Sequence, residues 1–234
     1  MEFNVPGNLW SIKLGQYQKY LSEAEGIGEE TYKSNPRLLE VKALEIFCGV
    51  DNPRDLPLEA YDLAVTSVNK CFEEEPVMQQ RFTMIGTDGV EVEFGLIPNF
   101  DKMTTGEYMD LDNYIGDWSN MHRAMAVLYR PVDPSFKGKK DYRILDYQGS
   151  DMYAEVLKEM PVSVALAARV FFYNLGKELL SHMTSYLQHS EETLSEEQKQ
   201  LFRASMDGIT AFMDLQGERH LISKPLPDYQ SILP

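Results

Sequence analysis

Cysteine is nearly absent: only Cys48 and Cys71 occur in 234 residues. Two thiols make neither a disulfide framework nor a zinc-ligand spacing. Both fall on apolar helix faces, where a thiol behaves as a small hydrophobe, and a reducing compartment is expected. Basic residues are also scarce, with 22 Lys and Arg against 37 Asp and Glu and a formal net charge of −15. A nucleic-acid groove needs clustered cations to neutralise phosphate, so this balance argues against sequence-specific nucleic-acid binding. The one basic knot, Lys137, Lys139, Lys140 and Arg143, is interrupted by Asp141 and reads as a solvated loop. Long apolar runs are lacking too. The longest, Met160 to Gly176, is too short to cross a bilayer and carries Arg169 at its centre, so a buried helix and no membrane partner are expected. Glu2, Asn4 and Pro6 break any apolar run after Met1, which argues against a signal peptide.

Recognisable reaction chemistry is equally sparse. None of the four histidines lies in an H-E-x-x-H spacing, and Glu178 with His182 supplies only two ligands one turn apart. No G-x-S-x-G, P-loop or G-x-G-x-x-G occurs, and acids flank Gly26-Ile27-Gly28 where a phosphate would have to sit. No catalytic residue, metal site or cofactor is assigned, and a non-enzymatic role is the expectation.

What the chain does have is apolar periodicity, with 43% hydrophobic residues to build a core. Leu9–Leu14 reads as a short strand, Gln16–Glu25 as a short helix and "EAEGIGEE" as a loop. A helix opening near Pro36 and stopped by Gly49 buries Leu38, Leu39, Leu44, Ile46 and Phe47. Another begins near Leu58, with Tyr61, Ala64, Val65, Val68, Cys71 and Phe72 on one face. The period then changes to two. Phe82 and Met84 alternate before Gly86-Thr87-Asp88-Gly89, and Val90, Val92, Phe94 and Leu96 after it, which predicts a β-hairpin over about 81–96. Helices follow over 105–116 and 118–129, the latter ended by Pro131. A short strand is predicted over 141–147 and a short helix over 151–160. A long helix then runs from Pro161 to about Gln188. The last helix, 194–216, starts from a capping box at Thr193–Glu196 and carries a stripe of Leu201, Phe202, Met206, Ile209, Phe212 and Met213. The expected fold is α+β, mostly α. It comprises a single mainly helical domain over 11–217, an N-terminal arm over 1–10 and a C-terminal arm over 218–234.

The stretch "IPNFDKMTTGEYMDLDNY", residues 97–114, looks most like a site. A calcium loop starting at Asp110 would need Gly where Ile115 stands and Glu where Met121 stands, so the template fails. A capping box fits instead: the Thr104 hydroxyl accepts from the Glu107 amide, and the Glu107 carboxylate returns to the Thr104 amide. Asp110 lies near the helix start, where the dipole favours negative charge. These three residues read as structural. The arms carry Phe3 and Trp10 at one end and Tyr229, Ile232 and Leu233 at the other. Prolines 225, 227 and 234 keep the C-terminal arm out of regular structure, yet it is too apolar to stay solvated. The arm must bury those side chains against its own domain or against a neighbouring copy; these five residues are candidate interface anchors.

The segment "FGLIPNFDKMTTGEYMDLDNYIGDWSNMHRAMAVLYRPV", with "LLEVKALEIFCGV" and "MPVSVALAARVFFYNLGKELL", resembles a family of proteins from tailed bacteriophages, notably the crAss-like phages of gut Bacteroidales. The likeness covers roughly residues 10–190. Its most specific piece is IPN…T-x-G-E-Y-x-D-L followed by H-R-A-M-A-V-L-Y-R-P. The resemblance implies a product of the structural or assembly gene block, made in the host bacterial cytoplasm and destined for the virion. It further implies that Thr104, Glu107 and Asp110 are fold determinants. The expected function is a virion structural protein, a ring-forming component of the head-to-tail connector or tail. Its expected partners are other copies of itself in a ring and neighbouring portal, connector or tail proteins. The resemblance also favours a neighbouring copy as the surface that buries the C-terminal arm. A non-virion tail-assembly chaperone and a phage enzyme with a dispersed site are the alternatives.

Overall fold

In the computed structural model, which describes residues 3–27, 29–86, 89–136, 142–190 and 194–218, the alternating segment forms the hairpin. Strand β1 (Arg81–Ile85) pairs antiparallel with β2 (Glu91–Leu96), with Phe82 opposite Phe94 and Met84 opposite Val92. Phe82, Met84, Phe94 and Leu96 are buried, and the two phenylalanine rings stack at 5.9 Å. Val92, expected on the same face, is half-buried and Val90 is exposed, so the buried face fades towards the turn. Gly89 takes φ +77°, the positive value the turn requires. A third strand, β3 (Tyr129–Pro131), adds to β2 antiparallel, giving the order β1-β2-β3. Pro131 does end the preceding helix. It is also tolerated in a strand, because β3 lies at the sheet edge and Pro131 is its last residue.

The remaining elements are mainly helices. They are α1 (Leu14–Glu25), α2 (Glu29–Ser34), α3 (Leu38–Phe47), α4 (Leu58–Phe72), α5 (Thr105–Ile115), α6 (Met121–Leu128) and α7 (Asp151–Leu157), followed by α8 (Val162–Ser190) and α9 (Glu196–Glu218). Helix α1 packs on α3, which packs on α4; α6 packs on α5 and α7. In α1, Leu14, Tyr17, Tyr20 and Leu21 recur at helical spacing and are buried. Tyr17 meets Phe72 and Trp118, and Tyr20 meets Phe47. Helix α6 is the centre of the core, with seven of its eight residues buried.

Three local expectations are corrected. Leu9–Leu14 is not a strand: Leu9–Ser11 is a 3₁₀ turn in which the Asn8 side chain accepts from the Ser11 amide at 3.0 Å. That local bond outcompetes a ladder. Lys13 alone bridges, to Pro161, flanked by bonds from the Leu14 amide to the Met160 carbonyl and the Val162 amide to the Ile12 carbonyl, both 2.8 Å. The strand expected over 141–147 reduces to a single bridge between Ile144 and Val132, residue 141 lying outside the described residues. The loop expected at "EAEGIGEE" is shorter, because α1 continues to Glu25 and α2 opens at Glu29.

Among the described residues the chain divides into two compact units, one up to Ala167 and one from Ala168 to Glu218. The first holds α1–α7, the sheet and the start of α8. In the second, the later turns of α8 and α9 touch through Tyr186 and Phe202, ring centroids 5.4 Å apart. The capping box of α9 is displaced from the one expected at Thr193. The Ser195 hydroxyl accepts from the Gln198 amide at 3.2 Å, and the Gln198 side chain accepts from the Ser195 amide at 3.0 Å. Thr193 lies outside the described residues. Phe202, Met206 and Ile209 of the expected stripe are half-buried, Leu201 is 69% exposed, and the side chains of Phe212 and Met213 are not described.

Candidate functional site

The capping box at the start of α5 forms as its spacing predicts. The Thr104 amide donates to Glu107 Oε2 at 2.6 Å, the Thr104 hydroxyl donates to the same oxygen at 2.8 Å, and the Glu107 amide donates to Thr104 Oγ1 at 3.3 Å. Glu107 also does something its spacing does not announce. Its other oxygen takes Arg130 Nη2 at 2.6 Å, with both side chains more than nine-tenths buried. Arg130 stands on β3 and lies over the Tyr147 ring, 5.5 Å from its centroid. The Tyr147 hydroxyl in turn donates to Asp110 Oδ2. Thr104, Glu107, Arg130, Tyr147 and Asp110 thus form one network of polar contacts between α5, β3 and the segment after Ile144.

The electrostatics follow from burial. Desolvation pushes the Glu107 carboxyl up, but the Thr104 amide and hydroxyl and the Arg130 charge outweigh it and hold the carboxyl below its ordinary value. Burial, then the bond to Asp110, raises the Tyr147 phenol. Breaking a pair this buried leaves an uncompensated charge, so the network fixes how β3 lies against α5. Arg130 Nε is buried with no hydrogen-bond partner among the described residues.

Thr104, Glu107, Arg130 and Tyr147 of this network line a cleft of about 540 Å³, together with Ile97–Asn99, Lys102, Met103 and Tyr142–Asp146. Ile97, Pro98, Met103 and Leu145 supply apolar wall, Tyr142 and Tyr147 aromatic wall, and Lys102 and Arg143 cationic groups beside the acid Asp146. Tyr142 is held closely: its hydroxyl donates to the Leu96 carbonyl at 2.7 Å, and its ring crosses Gly95. A Cβ on Gly95 would lie 2.5 Å from that ring, so only glycine fits there. The ionised, fully engaged Glu107 is a poor proton donor near neutral pH. The cleft offers recognition chemistry, with apolar and aromatic walls beside exposed cations.

A second surface lies in the second unit. Val170, Phe171, Leu175, Leu179 and Tyr186 of α8 are 37–50% exposed. Phe171, Leu175 and Leu179 recur every four residues and stack on one helix face.

Of the residues singled out from sequence, Thr104, Glu107 and Asp110 are brought together. Phe3 is half-buried near Pro6, whose carbonyl accepts from the Cys71 thiol at 3.3 Å, and Trp10 is 45% exposed. Tyr229, Ile232 and Leu233 lie outside the described residues. Sequence reading misses Arg130 and Tyr147. The one available signal is Arg130 itself, a lone cation closing the apolar run "AMAVLY". It also misses His122, whose Nδ1 lies 2.9 Å from the Gln18 amide nitrogen. Comparison with protein-family models, curated proteins and solved structures gave no match.

Proposed function

We propose that this protein is a self-associating structural component of a tailed-phage virion, a ring protein of the head-to-tail connector or tail, that works through contacts and not through chemistry. The observation that carries this reading is the row of large apolar side chains exposed along α8 in a chain of net charge −15. Acidic surfaces keep a free protein soluble, whereas a stripe of exposed Phe171, Leu175 and Leu179 on one helix face suits a protein partner. The resemblance of "IPNFDKMTTGEYMDL" and "HRAMAVLYRP" to crAss-like phage proteins supports the virion setting. The Glu107–Arg130 network supports an architectural role for that motif, since each of its groups holds another group of the chain.

The test is peptide mass spectrometry of purified particles together with light scattering of the isolated chain. Recovery of its peptides from particles and a multimer in solution are the expected results. A strictly monomeric chain absent from particles would overturn the reading in favour of an assembly chaperone. Leu175→Glu with Leu179→Glu should turn the multimer into a folded monomer.

A further inference from the structure

We infer that the cleft floored by Glu107 and Arg130 is the receptor for the proline-rich C-terminal arm, residues 225–234, of a neighbouring copy; this rests on the self-association reading above. The cleft and the arm match in three separate respects. The first is charge. In a chain with 15 more acids than bases, Lys102 and Arg143 stand together at one cleft, and "PLPDYQSILP" contains Asp228 and no Lys or Arg. Arg130 is already neutralised by Glu107, so the arm's carboxylate falls to Lys102 and Arg143. Arg143 holds its own neighbour, Asp146, only at 3.8 Å with both side chains largely exposed, a contact that exchanges readily.

The second match is shape. Pro225, Pro227 and Pro234 remove backbone donors and favour extended backbone, so the arm is poorly suited to being held as an added strand. Extended proline segments are recognised instead by aromatic-lined grooves that accept the side chains. Tyr142, Tyr147, Pro98 and Met103 line such a groove, and its volume of about 540 Å³ lies within the range of ligand sites. The third match is rigidity. Tyr142 is bonded to the Leu96 carbonyl and pressed on Gly95, and Tyr147 is fixed between Arg130 and Asp110. The aromatic walls are therefore set before the arm arrives, which lowers the ordering cost of binding. Leu226, Tyr229, Ile232 and Leu233 supply the apolar anchors. An arm passed from each copy to the next is a head-to-tail contact, which closes into a ring when the rotation closes.

The experiment uses the full chain with a photo-crosslinking amino acid at position 229. It is mixed with ¹⁵N-labelled chain that lacks the probe, and crosslinks are mapped by mass spectrometry. Crosslinks from position 229 to the cleft residues of ¹⁵N chains are expected. In Lys102→Glu/Arg143→Glu chains their yield should fall about tenfold. Asp228→Lys alone, which leaves the cleft untouched, should lower it similarly, and combining it with the cleft reversals should restore it. Crosslinks only within the same chain, crosslinks mapping elsewhere, or a yield indifferent to all three substitutions would overturn the inference. A multimer that forms without cleft crosslinks would remove the arm contact and leave the ring reading standing. A monomer at every concentration would remove both.

Discussion

Two stretches of helix α8 are composed in opposite ways. From Val162 to Ala168 its buried residues are small: Val162, Ser163, Val164, Ala165, Ala167 and Ala168. Beyond Val170 the exposed residues mix large apolar side chains, Phe171, Leu175, Leu179 and Tyr186, with polar ones such as Lys177, Glu178 and His182. A fully solvated helix face would carry few large apolar groups, and a packed one would hide them. Phe171, Leu175 and Leu179 thus form an apolar stripe on an exposed surface that is otherwise largely polar. Burial thus separates residues that maintain the fold from residues left open to a partner under the proposed reading.

That contrast can be broken from either side. The largest effect belongs to the buried sheet face. Phe94→Ala should lower unfolding stability by about 3–5 kcal/mol in denaturant melts. A loss below ~1 kcal/mol would show that the face is not core. Glu107→Leu should cost about 3–5 kcal/mol, because it strands the Arg130 charge inside the protein. Replacing both partners together, with Arg130→Met, should recover much of that loss, and failure to recover would show that the capping bonds matter more than the ion pair. Thr104→Ala removes one cap hydroxyl and should cost about 1 kcal/mol by the same melts.

His122 gives a pH-dependent version of the contrast. Burial lowers its pKa, and nearby Lys158 adds to the effect. The unfolded chain therefore takes up the proton at higher pH than the folded one. This stabilisation is fully present above the ordinary value of about 6.5 and declines as pH falls from there towards the lower folded value. The loss in urea midpoint on going from neutral to mildly acidic buffer should shrink in His122→Gln. An unchanged loss would assign the acid sensitivity to other groups. The smallest effect on stability belongs to the exposed helix face. Leu175→Ala should move monomer stability by no more than about 0.5 kcal/mol while weakening self-association, measured by sedimentation. A large loss of monomer stability would mean that this face is core after all.

Much of this is legible in sequence, for physical reasons. Period-two alternation around a glycine turn identifies a hairpin because only one sheet face can be buried, and the Phe82–Phe94 register follows. The Thr104–Glu107 box is local, so spacing alone reveals it. What escapes is non-local. Nothing near Arg130 names Glu107 as its partner, and nothing near Tyr147 names Asp110. β3 is only three residues long and lies at the end of a helical pattern, so its strand character comes from β2 alone. The 3₁₀ turn at Leu9 escapes because an apolar stretch of that length is ambiguous until the Asn8 cap decides it. The exposure of α8 is hidden because its apolar pattern is the one a buried helix would show.

The bridge between Lys13 and Pro161 also sets a timetable. Lys13 pairs through its side chain with Glu159, 146 residues further on, so this core segment meets its partner late. At elongation rates of about 5–20 residues per second, the segment bearing Leu9, Ile12 and Leu14 waits roughly 7–30 s for this partner. That segment is therefore covered late in synthesis, when it joins the start of α8. Heating or overexpression should expose it first, as a sticky edge awaiting its clasp.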